Sequence, residues 1–200
     1  LKAELPQLTH FSTLSPVPGF HRWLDRQLAS PPEDGVFRPE EAAVLTAASA
    51  GIEDATEAFK VLLAEGWWQD PVREAALRPV LLRLAATYLT RPNSGMGGID
   101  PVARFHLGNG ARLERVNWLG NTSPRGLRES HGIMVNYLYD RESIEGNHER
   151  FIRSGQVARS AAVEALLAPV AAPKPGPSGR LTARLPRLLG GEEKPVVRPG

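Results

Sequence analysis

Five residues near the start of the chain, Ser15-Pro16-Val17-Pro18-Gly19, constrain the fold more than any others. Proline fixes its own φ and has no N–H to give, so two prolines and a glycine within five residues can continue neither a helix nor a sheet ladder. The chain is expected to turn sharply there. Before the break, residues Leu8 to Leu14 alternate, with Leu8, His10, Ser12 and Leu14 on one face, which predicts a strand. After it, Phe20, Trp23, Leu24 and Leu28 recur at helical spacing, which predicts a helix over 20–28.

The same reading carries down the chain. Helices are predicted over 38–50 and 52–65, separated near Gly51, and over 71–89, where Pro71 suits a first turn and Pro79 should kink or split the element. Residues 92–98 read as a flexible loop. The apolar run Val102 to Leu107 is too short to type by period, and Asn109-Gly110 marks a turn. Strands are predicted over 113–119 and 132–139, the second being the clearest in the chain, with a short helix between them capped by Ser123 and opened by Pro124. Residues 143–167 are amphipathic and helical, interrupted near Gly155. The order of elements predicts a mixed α/β (α+β) domain over residues 1–165 whose last two strands can pair antiparallel. Residues 166–200, rich in proline and glycine, are expected to form a disordered tail, with a short basic turn or helix at 181–189. Leu1 to Leu5 reads as the end of a helix stopped by Pro6, so a piece of a longer protein is expected.

Composition narrows the chemistry. There is no cysteine, which excludes disulfides, thiolate catalysis and cysteine-held zinc from this chain. A formal net charge of +2 gives no argument for nucleic acid. No apolar run reaches the length of a membrane span and no secretory signal opens the chain, so a soluble, cytoplasmic protein is expected. No two histidines share helical i, i+4 spacing and no acidic cluster suggests a divalent cation, so no metal is expected.

Two residues stand out as candidates. Ser15 lies at a strand end in a turn stiffened by proline, a place from which a rigid scaffold can project a hydroxyl; a turn serine bonding its own backbone fits the same position. His106, between Phe105 and Leu107, has an apolar setting that can tune an imidazole for proton transfer, or simply bury one with its hydrogen bonds satisfied. Of the other histidines, His10 could be core or site-lining, His21 should be exposed, and His131 and His148, at helix edges, should be solvated. Gly95-Met96-Gly97-Gly98 lacks the spacing of a phosphate loop.

Longer strings carry a resemblance. Phe11-Ser12-Thr13-Leu14-Ser15-Pro16-Val17-Pro18-Gly19-Phe20 resembles the FSTLSPIPGF signature of malonyl-CoA decarboxylases, and Pro101 to Ala111 resembles their PVA-x-FHL-x-NGA motif. Val116-Asn117-Trp118 with Ser123 to Leu127, and then Gly132 to Tyr139, are similar to two further blocks. Gly120-Asn121 and His131 depart from the pattern. The resemblance covers residues 1–160 or so and implies an acetyltransferase-like (GNAT) fold with helices inserted after the SPVPG turn. It implies catalytic roles for Ser15 and His106, and substrate-lining roles for Asn117, Ser130, Asn136 and Tyr139. It also implies malonyl-CoA and acetyl-CoA as ligands, no separate cofactor, a place in fatty acid metabolism and a homo-oligomer, tetrameric in the family. The family's pyrophosphate loop is expected upstream of Leu1, so this stretch alone is expected to be inactive. An acyl-CoA transferase on the same fold, and an inactive truncated assembly module, are the alternatives.

Overall fold

The computed structural model describes residues 10–91 and 100–169. The expectations placed on Leu1 to Leu5, on Leu8, on the loop 92–98 with its Gly95 to Gly98, and on the tail from residue 170 with 181–189 lie outside the described residues. The described part is mixed α/β, built on a small antiparallel sheet.

Strand β4 (Met134–Asp140) is the centre of the sheet. It supplies alternating Val135 and Tyr137 to the core, as the sequence predicts for the clearest strand. Strand β3 (Arg112–Asn117) pairs with it antiparallel on one side, with a bulge between Leu113 and Arg115. Strands β1 (His10–Ser12) and β2 (Ser15–Pro16) lie along its other side. Both keep one register: Ser12 faces Leu138 and Ser15 faces Val135. This corrects the expectation at the SPVPG segment. The ladder does not end there; it lapses at Thr13 and Leu14 and resumes through Ser15 and Pro16, and the chain turns only at Val17 to Gly19.

Helix α1 (Phe20–Ala29) follows at once and buries Phe20, Trp23 and Leu24, the residues its spacing singled out. Helices α2 (Pro39–Ala48) and α3 (Ala55–Leu62) are separated around Gly51, whose φ of 99° favours glycine. Helix α4 (Pro71–Thr90) is capped by Asp70, whose carboxylate accepts from Val72 N–H and Arg73 N–H. It runs through Pro79 as one element, so of the expected kink or split the split does not occur. Pro79 and Ala75, the residue whose carbonyl Pro79 cannot serve, are both exposed, so water can take the missing bond. The packed face of α4 (Leu77, Leu81, Leu84 and Leu89) is therefore undisturbed.

The untyped run at 102–107 is helical: α5 (Pro101–Gly108), with Asp100 as its cap. Helix α6 (Pro124–Ser130) begins at Ser123, whose hydroxyl accepts from Gly126 N–H. Helices α7 (Ile144–Ser154) and α8 (Ala161–Leu167) are parted by Gly155 at φ 66°. Between them, Ala158 and Ser160 bond Leu113 on the outer edge of β3. Leu113, Val116, Val135 and Tyr137 join the helix side chains in one hydrophobic core. No described helix is long and apolar enough to cross a membrane.

Candidate active site

Residues paired across an antiparallel ladder share a face, and alternate residues share a face along a strand. The register therefore places Ser15 with Val135 and Tyr137 on the face that α5 covers. Pairing is what buries Ser15, which is 5% exposed although it lies within two residues of a turn. Helix α5 brings His106 to it: Ser15 Oγ lies 3.3 Å from His106 Nε2. The other ring nitrogen, Nδ1, lies 2.7 Å from the Tyr139 hydroxyl, on β4. The imidazole stacks on the Tyr137 ring, with centroids 4.5 Å apart. Thr13 Oγ1 is 3.0 Å from Ser15 Oγ. A line of polar groups thus runs from Thr13 through Ser15 and His106 to Tyr139.

Burial lowers the pKa of His106 below its ordinary value, so the imidazole is neutral at neutral pH. Burial raises that of Tyr139, which stays a phenol. Tyr137 is held still more firmly in its neutral form, by burial first and then by the negative charge of Asp100. Its hydroxyl is buried and, among the described residues, has no hydrogen-bond partner. Tyr137 therefore serves His106 as an aromatic platform.

What fixes the two catalytic candidates relative to each other is Asp100, which is wholly buried. Its Oδ1 accepts from Val102 N–H and Ala103 N–H, capping α5. Its Oδ2 accepts from Gly19 N–H at 3.0 Å and from the Tyr88 hydroxyl at 3.4 Å. One carboxylate thus ties the turn after Ser15 to the start of the helix that carries His106. Gly19 has no room for a side chain: a Cβ would come within 2.2 Å of the Tyr88 oxygen. Sequence reading missed Asp100, although an Asp before Pro101 is the ordinary signal of a helix start.

The remaining expected site residues divide. Tyr139 joins the line. Asn117 and Asn136 bond each other, Asn117 Nδ2 donating to Asn136 Oδ1 at 2.8 Å, and by alternation they lie on the sheet face opposite to Ser15. Ser130 is buried, and its hydroxyl is shared between the carbonyls of Gly126 and Ile133 at the end of α6. Next to it, His131 overturns its expected solvation. It occupies the left-handed position that ends α6, at φ 52°, and is 5% exposed. Phe20 packs edge-on against it and its Nε2 lies 3.0 Å from His21 Nδ1. His148 is exposed as expected, His21 is half-exposed, and His10 is exposed rather than core. Among the described residues, no group of three or more potential ligands could hold a metal ion.

Residues 1–175 match the family model of the malonyl-CoA decarboxylase C-terminal domain. The chain is 37% identical over 165 residues to the mitochondrial malonyl-CoA decarboxylase of Anser anser anser, a match covering 80% of this chain and 32% of the relative. It is 35% identical over 173 residues to that of Mus musculus, covering 84% of this chain and 35% of the relative. It thus spans about a third of the length of the curated relatives it matches. Among solved structures, it resembles the malonyl-CoA decarboxylase of Rhodopseudomonas palustris with a TM-score of 0.68 and 43% identity, over 82% of this chain and 35% of that one. It resembles that of Agrobacterium vitis with a TM-score of 0.67 and 44% identity, over 84% of this chain and 38% of that one.

Proposed function

Since the chain belongs to the malonyl-CoA decarboxylase family, we propose that it carries the reacting end of an active site that converts malonyl-CoA to acetyl-CoA and CO2. The observation that carries this reading is the contact of Ser15 with His106 and of His106 with Tyr139.

Decarboxylation breaks the bond between the α carbon and the carboxylate. The electron pair passes into the thioester as an enolate, which must then take a proton on carbon. The thioester holds the charge, so the reaction as proposed uses no metal or separate cofactor. His106 is neutral in the free chain, and with Nδ1–H donating to the Tyr139 hydroxyl, Nε2 is left as the basic nitrogen. The carboxylate of an arriving substrate favours the imidazolium. Nε2 then takes a proton from solvent and passes it to the α carbon as CO2 leaves, and His106 returns to neutral. Ser15, no longer donating to Nε2, turns its hydrogen to the thioester oxygen, where negative charge grows. A fixed donor at such a position is worth roughly 3–4 kcal/mol, and general acid help roughly 10²–10⁴-fold. Tyr139 orients the imidazole and takes its charge-bearing Nδ1–H, in place of a substrate contact.

The sheet with α1 to α4 following its first strands fits an acetyltransferase-like fold with inserted helices. A cytoplasmic homo-oligomer in fatty acid metabolism is the setting this reading assigns.

The test is release of CO2 from malonyl-CoA by the complete gene product. Ser15→Ala and His106→Asn should each lower kcat by about 10²-fold or more, and the double variant should lose little beyond the worse single, because residues that act as a unit are not additive. Near-normal turnover in either single variant would sink the proposal. Acyl transfer to an added amine without CO2 would favour an acyl-CoA transferase instead.

A further inference from the structure

The lapse in the ladder at Thr13 has a cause that reaches the active site. Opposed residues of an antiparallel pair commonly exchange both backbone bonds. Thr13, opposite Tyr137 in the shared register of β1 and β2, keeps only one: its N–H donates to Tyr137 O at 3.0 Å. The other is rewired. Tyr137 N–H donates to Thr13 Oγ1 at 3.3 Å, and the Thr13 carbonyl accepts from Asn136 Nδ2 at 2.6 Å. Asn117 donates to Asn136 Oδ1, which fixes the amide so that its nitrogen faces Thr13. The Thr13 hydroxyl, holding a backbone N–H as acceptor, has one acceptor for its own hydrogen among the described residues: Ser15 Oγ at 3.0 Å.

We infer that Thr13 is a positioning residue for Ser15, and that Asn136 with Asn117 is the device that turns it. This rests on the reading of Ser15 and His106 given above. With Thr13 donating, the Ser15 oxygen is occupied and its hydrogen is free to point away, to His106 Nε2 at rest and to a substrate oxygen during reaction. A hydroxyl that accepts one hydrogen bond donates a stronger one, because chained hydrogen bonds polarise each other. The arrangement therefore suits an acceptor on which negative charge develops, as on a thioester oxygen becoming an enolate. It also gives Asn117 and Asn136 a role from the far face of the sheet, without substrate contact.

The experiment uses the complete gene product and malonyl-CoA turnover. Thr13→Val keeps the β-branched shape and removes the hydroxyl; kcat should fall about tenfold with KM nearly unchanged, about the worth of one hydrogen bond. Thr13→Ser, which restores the hydroxyl, should recover most of kcat. In the Ser15→Ala background, Thr13→Val should cost nothing further, a result that a general structural role would not give. Asn136→Ala should lower kcat in the same direction, and adding it to Thr13→Val should not deepen the loss. Normal kcat in Thr13→Val beside a disabled Ser15→Ala would overturn the role of Thr13 and leave that of Ser15 standing. Additive losses, or failure of Thr13→Ser to recover activity, would also overturn it. Normal turnover in Ser15→Ala would instead remove the reading beneath.

Discussion

A buried imidazole is tolerable at His131 because it stays neutral. Burial first, and the charge of His21 second, push its pKa down to about 3 from an ordinary 6.5. In the unfolded chain the same group takes a proton near 6.5. The stability that depends on its neutrality is thus complete above about pH 6.5 and is lost as pH falls from there toward 3, because the unfolded state binds more protons. His106, also lowered by burial, tilts the slope in the same direction. Each pKa unit corresponds to about 1.4 kcal/mol, so the loss from His131 is on the order of a few kcal/mol across that window. Urea denaturation at intervals between pH 7 and 4 should show stability falling, and His131→Asn should flatten the fall. Asparagine suits the left-handed backbone at that position, so the variant removes the titration without adding backbone strain. An unchanged slope in the variant would place the acid sensitivity elsewhere.

At the scale of elements, the site depends on how α5 is anchored. Asp100 satisfies two N–H groups at the start of α5 and one at Gly19, so removing its carboxylate loosens both ends of the Ser15 to His106 contact. Loss of a helix cap costs about 0.5–2 kcal/mol, and leaving buried donors unpaired adds about 1–3 kcal/mol. Asp100→Ala should therefore lower the melting temperature by several degrees, while Asp100→Asn, which keeps an acceptor oxygen, should lower it less; equal, near-zero shifts would show that the clamp carries no load. The same elements show what the sequence could reveal. Strand β4 and helix α1 were legible because their side-chain periods match the faces they bury. The cap at Ser123 was legible because it is local. Helix α5 was not, since eight residues give barely two turns of pattern. Nor was the continuation of the ladder through Pro16, because proline is tolerated where its missing N–H is not needed, and only the pairing partner decides that. His131 misled for a related reason: the end of a helix is usually solvated, and its burial comes from α1, more than a hundred residues away in sequence. Of the site, Ser15 and His106 were visible as motif residues. Their contact, the bonds of Thr13 to Asn136 and Tyr137, and the Asp100 bridge are cross-strand and helix-to-turn relations that no local window contains.

At the scale of the molecule, two large apolar side chains near the first strands stay exposed. Strand β3 bonds Ala158 and Ser160 at Leu113 on the side away from β4, and β1 and β2 lie along the other side of β4. Phe11, in β1, is 42% exposed, and Leu14, between β1 and β2, is 60% exposed. Large apolar side chains exposed close together can serve as a contact for another chain. The curated relatives are about two and a half times as long as this chain, which leaves them ample material to cover these side chains. Expressed by itself, the 200-residue chain should therefore associate as its concentration rises, and Leu14→Lys should reduce that association by replacing the more exposed of the two with a charge. Sedimentation velocity over a hundredfold range of concentration would measure it. On the proposed reading, the same preparation should release little CO2 from malonyl-CoA, because it spans about a third of the length of its relatives and binding energy from remote parts of a substrate helps drive its reacting end. A preparation that stayed monomeric and turned over at the rate of the complete gene product would mean that Phe11 and Leu14 mediate no association and that these 200 residues hold the whole substrate site.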